Sequence, residues 1–145
     1  MKTNIPDPAQ FVALSSLVEW ADNYNRNDVD LIARSIRRFG FNVAPRIWRD
    51  RIVMANNHAV KALKRIKEKG EAAPANVIDR HEDWYIQWID VSHLSEIEAR
   101  AFAIADNELA RKSTRDEKLL AEYLQQIVSE DKEAFRATGY NAEGL

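Results

Sequence analysis

Asn56, Asn57 and His58 stand between a short apolar run and an amphipathic segment, and their types could hold an anion. Two amides and an imidazole can donate hydrogen bonds. Lys61 and Lys64 follow close behind. If the segment after the turn is a helix, its first backbone N–H groups have no intrahelical partner, and the positive end of its dipole lies at the same point. Those are the ingredients of a phosphate site. The same pattern also fits an ordinary strand-to-helix turn with a solvated basic face. His58 could act as a general base near neutral pH, or be only a hydrogen-bonding residue of the turn.

The elements that must position this turn are legible on both sides. Ile52-Val53-Met54-Ala55 is too short for a helix and carries two β-branched residues, so it reads as a strand. An Asn at the turn would cap the following helix through its side-chain oxygen, and Gly70 would close it in the left-handed conformation. Ala59, Ala62, Leu63 and Ile66 recur at helical spacing and form the predicted buried face. Lys61, Lys64 and Arg65 fall on the other side.

Upstream, the proline-bearing Met1–Gln10 reads as an extended lead-in, followed by a strand over Phe11–Leu14 and a helical turn over Ser15–Trp20. Ala21–Asn27 is an Asn-rich loop in which Arg26 is a candidate polar contact; a solvated loop arginine is the alternative. Asp28–Phe39 is a helix with Leu31, Ile32, Ser35, Ile36 and Phe39 on one face, stopped by Gly40. Arg46–Arg49 is a half-buried strand, joined to Ile52–Ala55 through a tight turn at Asp50-Arg51. Downstream, Val77-Ile78 begins a short strand, and Trp84–Val91 reads as one strand buried on both faces. Ser95 with Glu98, and Thr114 with Glu117, fit capping boxes. The first of these helices runs through Ile97, Ala101, Phe102, Ile104 and Ala105 to Asp106-Asn107. The second would bury Leu119, Leu120, Tyr123, Leu124, Ile127 and Val128. A last short helix spans Glu130–Ala137.

The totals set bounds. A chain of 145 residues, 46% hydrophobic and 30% charged, is sized for one globular domain with its own core. No apolar run approaches ~18 residues, so no membrane span is expected. The N-terminus lacks an apolar signal core, which makes a cytoplasmic setting the expectation. Without cysteines there are no disulfides and no thiolate chemistry. The net charge of −2 conceals a division. Arg26–Lys69 carries 12 basic against 4 acidic residues, and Gly70–Leu145 carries 8 against 16. The basic part contains the turn, which fits a phosphate-bearing partner or nucleic acid. Mutual neutralisation of the two parts in the fold is the alternative.

The order of these pieces carries a resemblance. Ser35-Ile36-Arg37-Arg38-Phe39-Gly40-Phe41 is followed by Pro45-Arg46-Ile47-Trp48, then Ile52–Ala55 with its turn, then Leu94–Asn107 ending in Ala-Ile-Ala-Asp-Asn. Phe135–Tyr140 has the look of a domain tail. The chain resembles the ParB-like N-terminal domain of the ParB/sulfiredoxin superfamily over roughly Phe11–Tyr140. The closest likeness is to versions in phage and prokaryotic proteins linked to DNA methyltransferases.

The resemblance implies an α/β (α+β) fold, a small mixed sheet with packed helices, plus a helical C-terminal segment. It divides the chain into a lead-in at 1–10, a ParB-like domain at 11–112 and a helical extension at 113–145 that could lead into further sequence. The family's phosphate motif, close to Gly-His-x-Arg, falls on Asn56-Asn57-His58-Ala59, so the arginine that would fork onto phosphate is an alanine here. The sulfiredoxin cysteine is absent, which excludes that chemistry. Asp106-Asn107 matches the polar pair that helps complete the site in relatives; a helix-terminal cap is the alternative.

The expected function is a DNA-associated binding module without robust catalysis. It would hold nucleic acid or a nucleotide phosphate through Asn56, Asn57, His58, Lys61, Lys64, Arg26, Arg46 and Asn107. One alternative is a nuclease or nucleotide hydrolase dependent on a divalent metal, using His58 and Asp106 or the Asp79–Asp83 cluster. Another is an interaction domain with a degenerate site that partners a DNA methyltransferase. A nucleotide or a divalent metal is the cofactor class, and no dedicated metal-ligand set stands out.

Overall fold

The computed structural model describes residues 5–23, 28–80 and 82–141. Two small sheets share one core. Strand β1 (Phe11–Ala13) leads through a 3-10 turn at Leu14–Ser16 into β2 (Val18–Glu19). Helix α1 (Val29–Phe39), β3 (Arg46–Trp48), β4 (Ile52–Ala55) and α2 (Asn57–Glu68) follow. Then come β5 (Ile78–Arg80), β6 (Asp83–Gln87), β7 (Ile89–Asp90), α3 (Glu96–Arg111), α4 (Glu117–Glu130) and α5 (Lys132–Ala137). The first sheet is antiparallel, in the order β1-β6-β5, and the second is mixed, in the order β2-β4-β3-β7. The α/β class expected from sequence is thus present, with its strands split between two sheets.

The split occurs inside Trp84–Val91, which is two strands rather than one. β6 pairs with β1 and β5, and after Gln87 the chain crosses to lie parallel to β3 as β7. Backbone bonds from Trp88 to Gln10, Ile89 to Pro45 and Val91 to Ile47 fix the crossing. β6 alternates, with Trp84 and Ile86 inward and Gln87 exposed. The strand covered on both faces is β4. Val53 joins the main core of α1, α2 and both sheets, while Met54 points to a second cluster beneath α3. Consecutive apolar residues in β4 follow from this two-sided burial.

Several helical faces differ from their predicted stripes. In α1 the buried residues are Ala33 and Ile36, while Leu31 and Phe39 stay exposed. α2 buries Val60, Ala62, Leu63 and Ile66, with Ala59 only partly covered. α3 meets β4 through Ala99 and Ala103, leaving Ile97 72% exposed and Ile104 outward. Small side chains bring the α3 backbone close to the sheet, so the contact seam rotates away from the large residues. In α4 only Leu124 is buried. Its start is capped by Asp116, which accepts from the Leu119 N–H, so Thr114 is not the cap. α5 returns to α1, burying Phe135 and pairing Asp131 with Arg38.

One further difference lies near the site. The helical turn expected over Ser15–Trp20 is confined to the 3-10 turn at Leu14–Ser16: Leu17 is buried as expected, but Val18 and Glu19 pair in parallel with Ile52 and Val53. Gly40 ends α1 as expected, at a φ of 93°, where an added Cβ would lie 2.9 Å from the Ala75 Cβ.

Candidate functional site

The β4–α2 turn is made by Asn56, whose φ of 71° and ψ of 30° are left-handed. Asn is among the few non-glycine residues that tolerate this conformation. Asn56 therefore heads α2, but not as the predicted cap: its side chain makes no capping bond. Its Oδ1 is instead buried without a hydrogen-bond partner among the described residues. The first intrahelical bond runs from the Val60 N–H to the Asn56 carbonyl at 3.1 Å. By helix geometry, the N–H groups of residues 57–59 have no acceptor within α2.

This helix start opens on a cavity of about 180 Å³ lined by Asn23, Asn56, His58, Ala59, Asp106 and Asn107, among others. The last two come from α3, so residues far apart in sequence converge. A neighbouring depression of about 370 Å³ shares Asn23 and His58 and reaches Trp20 and Lys61. Asp106 is bound by Arg46, Nη2 to Oδ1 at 2.6 Å. The Arg46 guanidinium also lies 5.8 Å from the Phe102 ring, and its Nε is buried without a hydrogen-bond partner among the described residues. The carboxylate at the cavity is therefore offset by an adjacent guanidinium.

The residues singled out in the sequence are used in different ways. Asn56, Asn57, His58, Asp106 and Asn107 meet at the cavity, with Arg46 one contact behind. Asn57 is 8% exposed and its amide serves the framework. Nδ2 donates to the Val53 carbonyl at 2.6 Å, and Oδ1 accepts from the Trp20 N–H at 3.2 Å. Lys64 is also engaged elsewhere, donating from Nζ to the Leu17 carbonyl at 2.7 Å. Lys61 is exposed beside the neighbouring depression. Arg26 and His81 lie outside the described residues. Asp83 accepts from Ser15 Oγ and from its neighbour's N–H, away from the turn. Among the described residues, no three His, Asp or Glu side chains converge as a metal-binding group. The same residues contain no helix long and apolar enough to cross a membrane.

Asn23 is the lining residue that sequence reasoning missed. It is buried at 8% and borders both depressions. Nothing local separates it from Asn25 and Asn27 in the same loop. The basic half is also less exposed electrostatically than its count implied. Arg37 pairs with Glu71, Arg38 with Asp131 and Arg46 with Asp106, each across the two halves. The Arg37 hydrogen bond holds the Glu71 carboxyl below its usual range.

No protein-family model matches the sequence, and no curated protein matches it. Among solved structures, the chain is similar to the C-terminally truncated chromosome-partitioning protein ParB from Caulobacter crescentus, complexed with CTP-gamma-S. The likeness has a TM-score of 0.61 at 14% identity, and covers 91% of this chain and 71% of that one. The fold is ParB-like. Helix α2, the turn before it and the α3 segment beyond it therefore belong to a fold that also occurs in a nucleotide-complexed protein.

Proposed function

We propose that this chain is a ParB-like binding module that holds the phosphates of a nucleotide at the start of α2, in a DNA-associated setting and without robust catalysis. The observation that carries the reading is the left-handed start of α2, which has no side-chain cap from Asn56 and opens on a polar cavity. Backbone N–H groups and the helix dipole suit phosphate oxygens. The Asp106 carboxylate suits a donor, such as a hydroxyl or an amine. A ligand with both kinds of group fits better than phosphate alone, and a nucleotide is one. The similar ParB is complexed with CTP-gamma-S, which supports the same ligand class. The neighbouring depression toward Lys61 gives a nucleotide larger than the cavity somewhere to extend.

In this reading Arg46 stands in for the arginine that Ala59 lacks. It neutralises Asp106 beside the phosphates rather than forking onto them. Thermal unfolding with added CTP and magnesium tests the reading. Saturating nucleotide at a hundredfold its Kd adds about 2.7 kcal/mol of stability and raises Tm. His58→Ala lowers the rise, whereas Asn56→Gly, which keeps the left-handed start, and Lys64→Ala, whose amine serves Leu17, keep it. Pyrophosphate alone gives a smaller rise. No rise with CTP, ATP, GTP or pyrophosphate would overturn the assignment.

DNA contact rests on less, because four arginines of the basic half are ion-paired. Lys61 is the lysine of the predicted set left for phosphate. In a salt titration of duplex binding, Lys61→Ala lowers the slope by about one unit.

A further inference from the structure

Among the described residues, the cavity at the start of α2 holds little positive charge of its own. The Arg46 guanidinium and the Asp106 carboxylate offset each other at 2.6 Å. Lys64 sends its Nζ to the Leu17 carbonyl. Lys61 does not line this cavity and borders the neighbouring depression instead. His58 lines both.

His58 stands half-buried in the first turn of α2. A neutral imidazole has one N–H to donate, whereas an imidazolium donates from both ring nitrogens and carries a charge. The positive end of a helix dipole disfavours a cation at that point. A phosphate at the same point reverses the balance, because charge-assisted hydrogen bonds are the stronger ones. The charged groups around His58 oppose one another. Lys61, three residues on along the same helix, repels a proton. Glu19 of β2 lines the depression shared with His58 and attracts one. Asp106 of α3 faces the cavity with Arg46 of β3 upon it. The α1 residue at the cavity is Ile32, and β4 and the loop before α1 supply neutral side chains, Met54, Ala55 and Asn23. Of the side-chain types in the two depressions, imidazole alone ordinarily changes charge between about pH 5 and 8.

We infer that phosphate binding at the start of α2 takes up a proton from solvent at His58, so that the site fills as pH falls through the imidazole range. The inference rests on the nucleotide reading of this site. Below that range His58 supplies the positive charge that Ala59 does not. The bound phosphate favours the imidazolium, so its contribution is complete at low pH and is lost as pH rises through the bound-state value.

The test measures CTP affinity of the full chain, with magnesium, from about pH 5.5 to 8, wild type beside His58→Gln. Glutamine keeps a hydrogen-bond donor and has no titrating ring. Titration of the ligand itself is common to both proteins and cancels in the ratio of their affinities. Across the range the wild-type advantage falls by about fivefold. A second measurement needs no variant: the His58 ring signal of the wild type, followed by NMR, has a titration midpoint that rises when CTP is bound. Binding with the same pH profile in both proteins, or a midpoint that does not rise, overturns the proton coupling and leaves the nucleotide reading standing. No binding by the wild type at any pH overturns both.

Discussion

Helices α2 and α3 begin in opposite ways. α3 starts with a complete capping box, Ser95 accepting from the Glu98 N–H while the Glu98 carboxylate accepts from the Ser95 N–H. α2 starts at a left-handed Asn56 with no side-chain cap. Their bodies differ in the reverse sense. α2 is anchored by Leu63 and Ile66, both fully buried, whereas α3 touches the sheet through alanines and shows Ile97 to solvent. The helix with the stronger packing is the one whose end is left chemically open. The loosely seated helix needs its cap, because its burial contributes less. A start without a side-chain cap is tolerated at α2 because the core fixes that helix without one.

The contrast can be broken most forcefully in the core. Leu63→Ala should lower unfolding stability by about 3 kcal/mol in a denaturant titration. Ile97→Ala should stay within about 0.5 kcal/mol. Similar losses at the two positions would mean that α3 is as firmly packed as α2. At the helix starts, Ser95→Ala should cost about 1 kcal/mol by the same measurement. Asn56→Gly should be nearly neutral, since glycine accepts the left-handed backbone, whereas Asn56→Ala should cost roughly 1 kcal/mol. A large loss for Asn56→Gly would show that the side chain stabilises the turn after all.

The smallest effect is the share of the acid pH dependence that α3 contributes beside Glu71, Asp90 and Asp131. Hydrogen bonds from the Ser95 backbone and side chain hold the Glu98 carboxyl below its ordinary value of 4.5. Its folded value is depressed, so the stability it contributes is complete above 4.5 and is lost as pH falls through the folded value. Glu98→Gln should flatten that acid limb of a Tm-against-pH profile while leaving the neutral region nearly unchanged. An acid limb equally steep in the variant would assign it to other carboxylates.

Local sequence carried most of the element order. The strand-turn-helix at Ile52–Gly70, the Ser95 capping box and the stops at Gly40, Gly70 and Gly139 depend on backbone preferences of a few adjacent residues. The faces were less legible. Ala99 and Ala103 bury while Ile97 does not, because close approach to β4 favours the small residues over the large. The break at Trp88 was hidden for a similar reason. Trp84–Val91 is uniformly β-forming, and only bonds to Gln10, Pro45 and Ile47 show where it changes sheets.

The sequence by itself determined an α/β chain built around an Asn-Asn-His turn, since periodicity, caps and turn residues act over a few neighbours. Tertiary structure decided which of those residues are available. It committed Asn57 to Val53 and Trp20, and Lys64 to Leu17. It also set Arg46 on Asp106 and added Asn23 to the cavity. Such assignments depend on partners distant along the chain, and a side chain's hydrogen bonds are settled only when the fold brings those partners within reach.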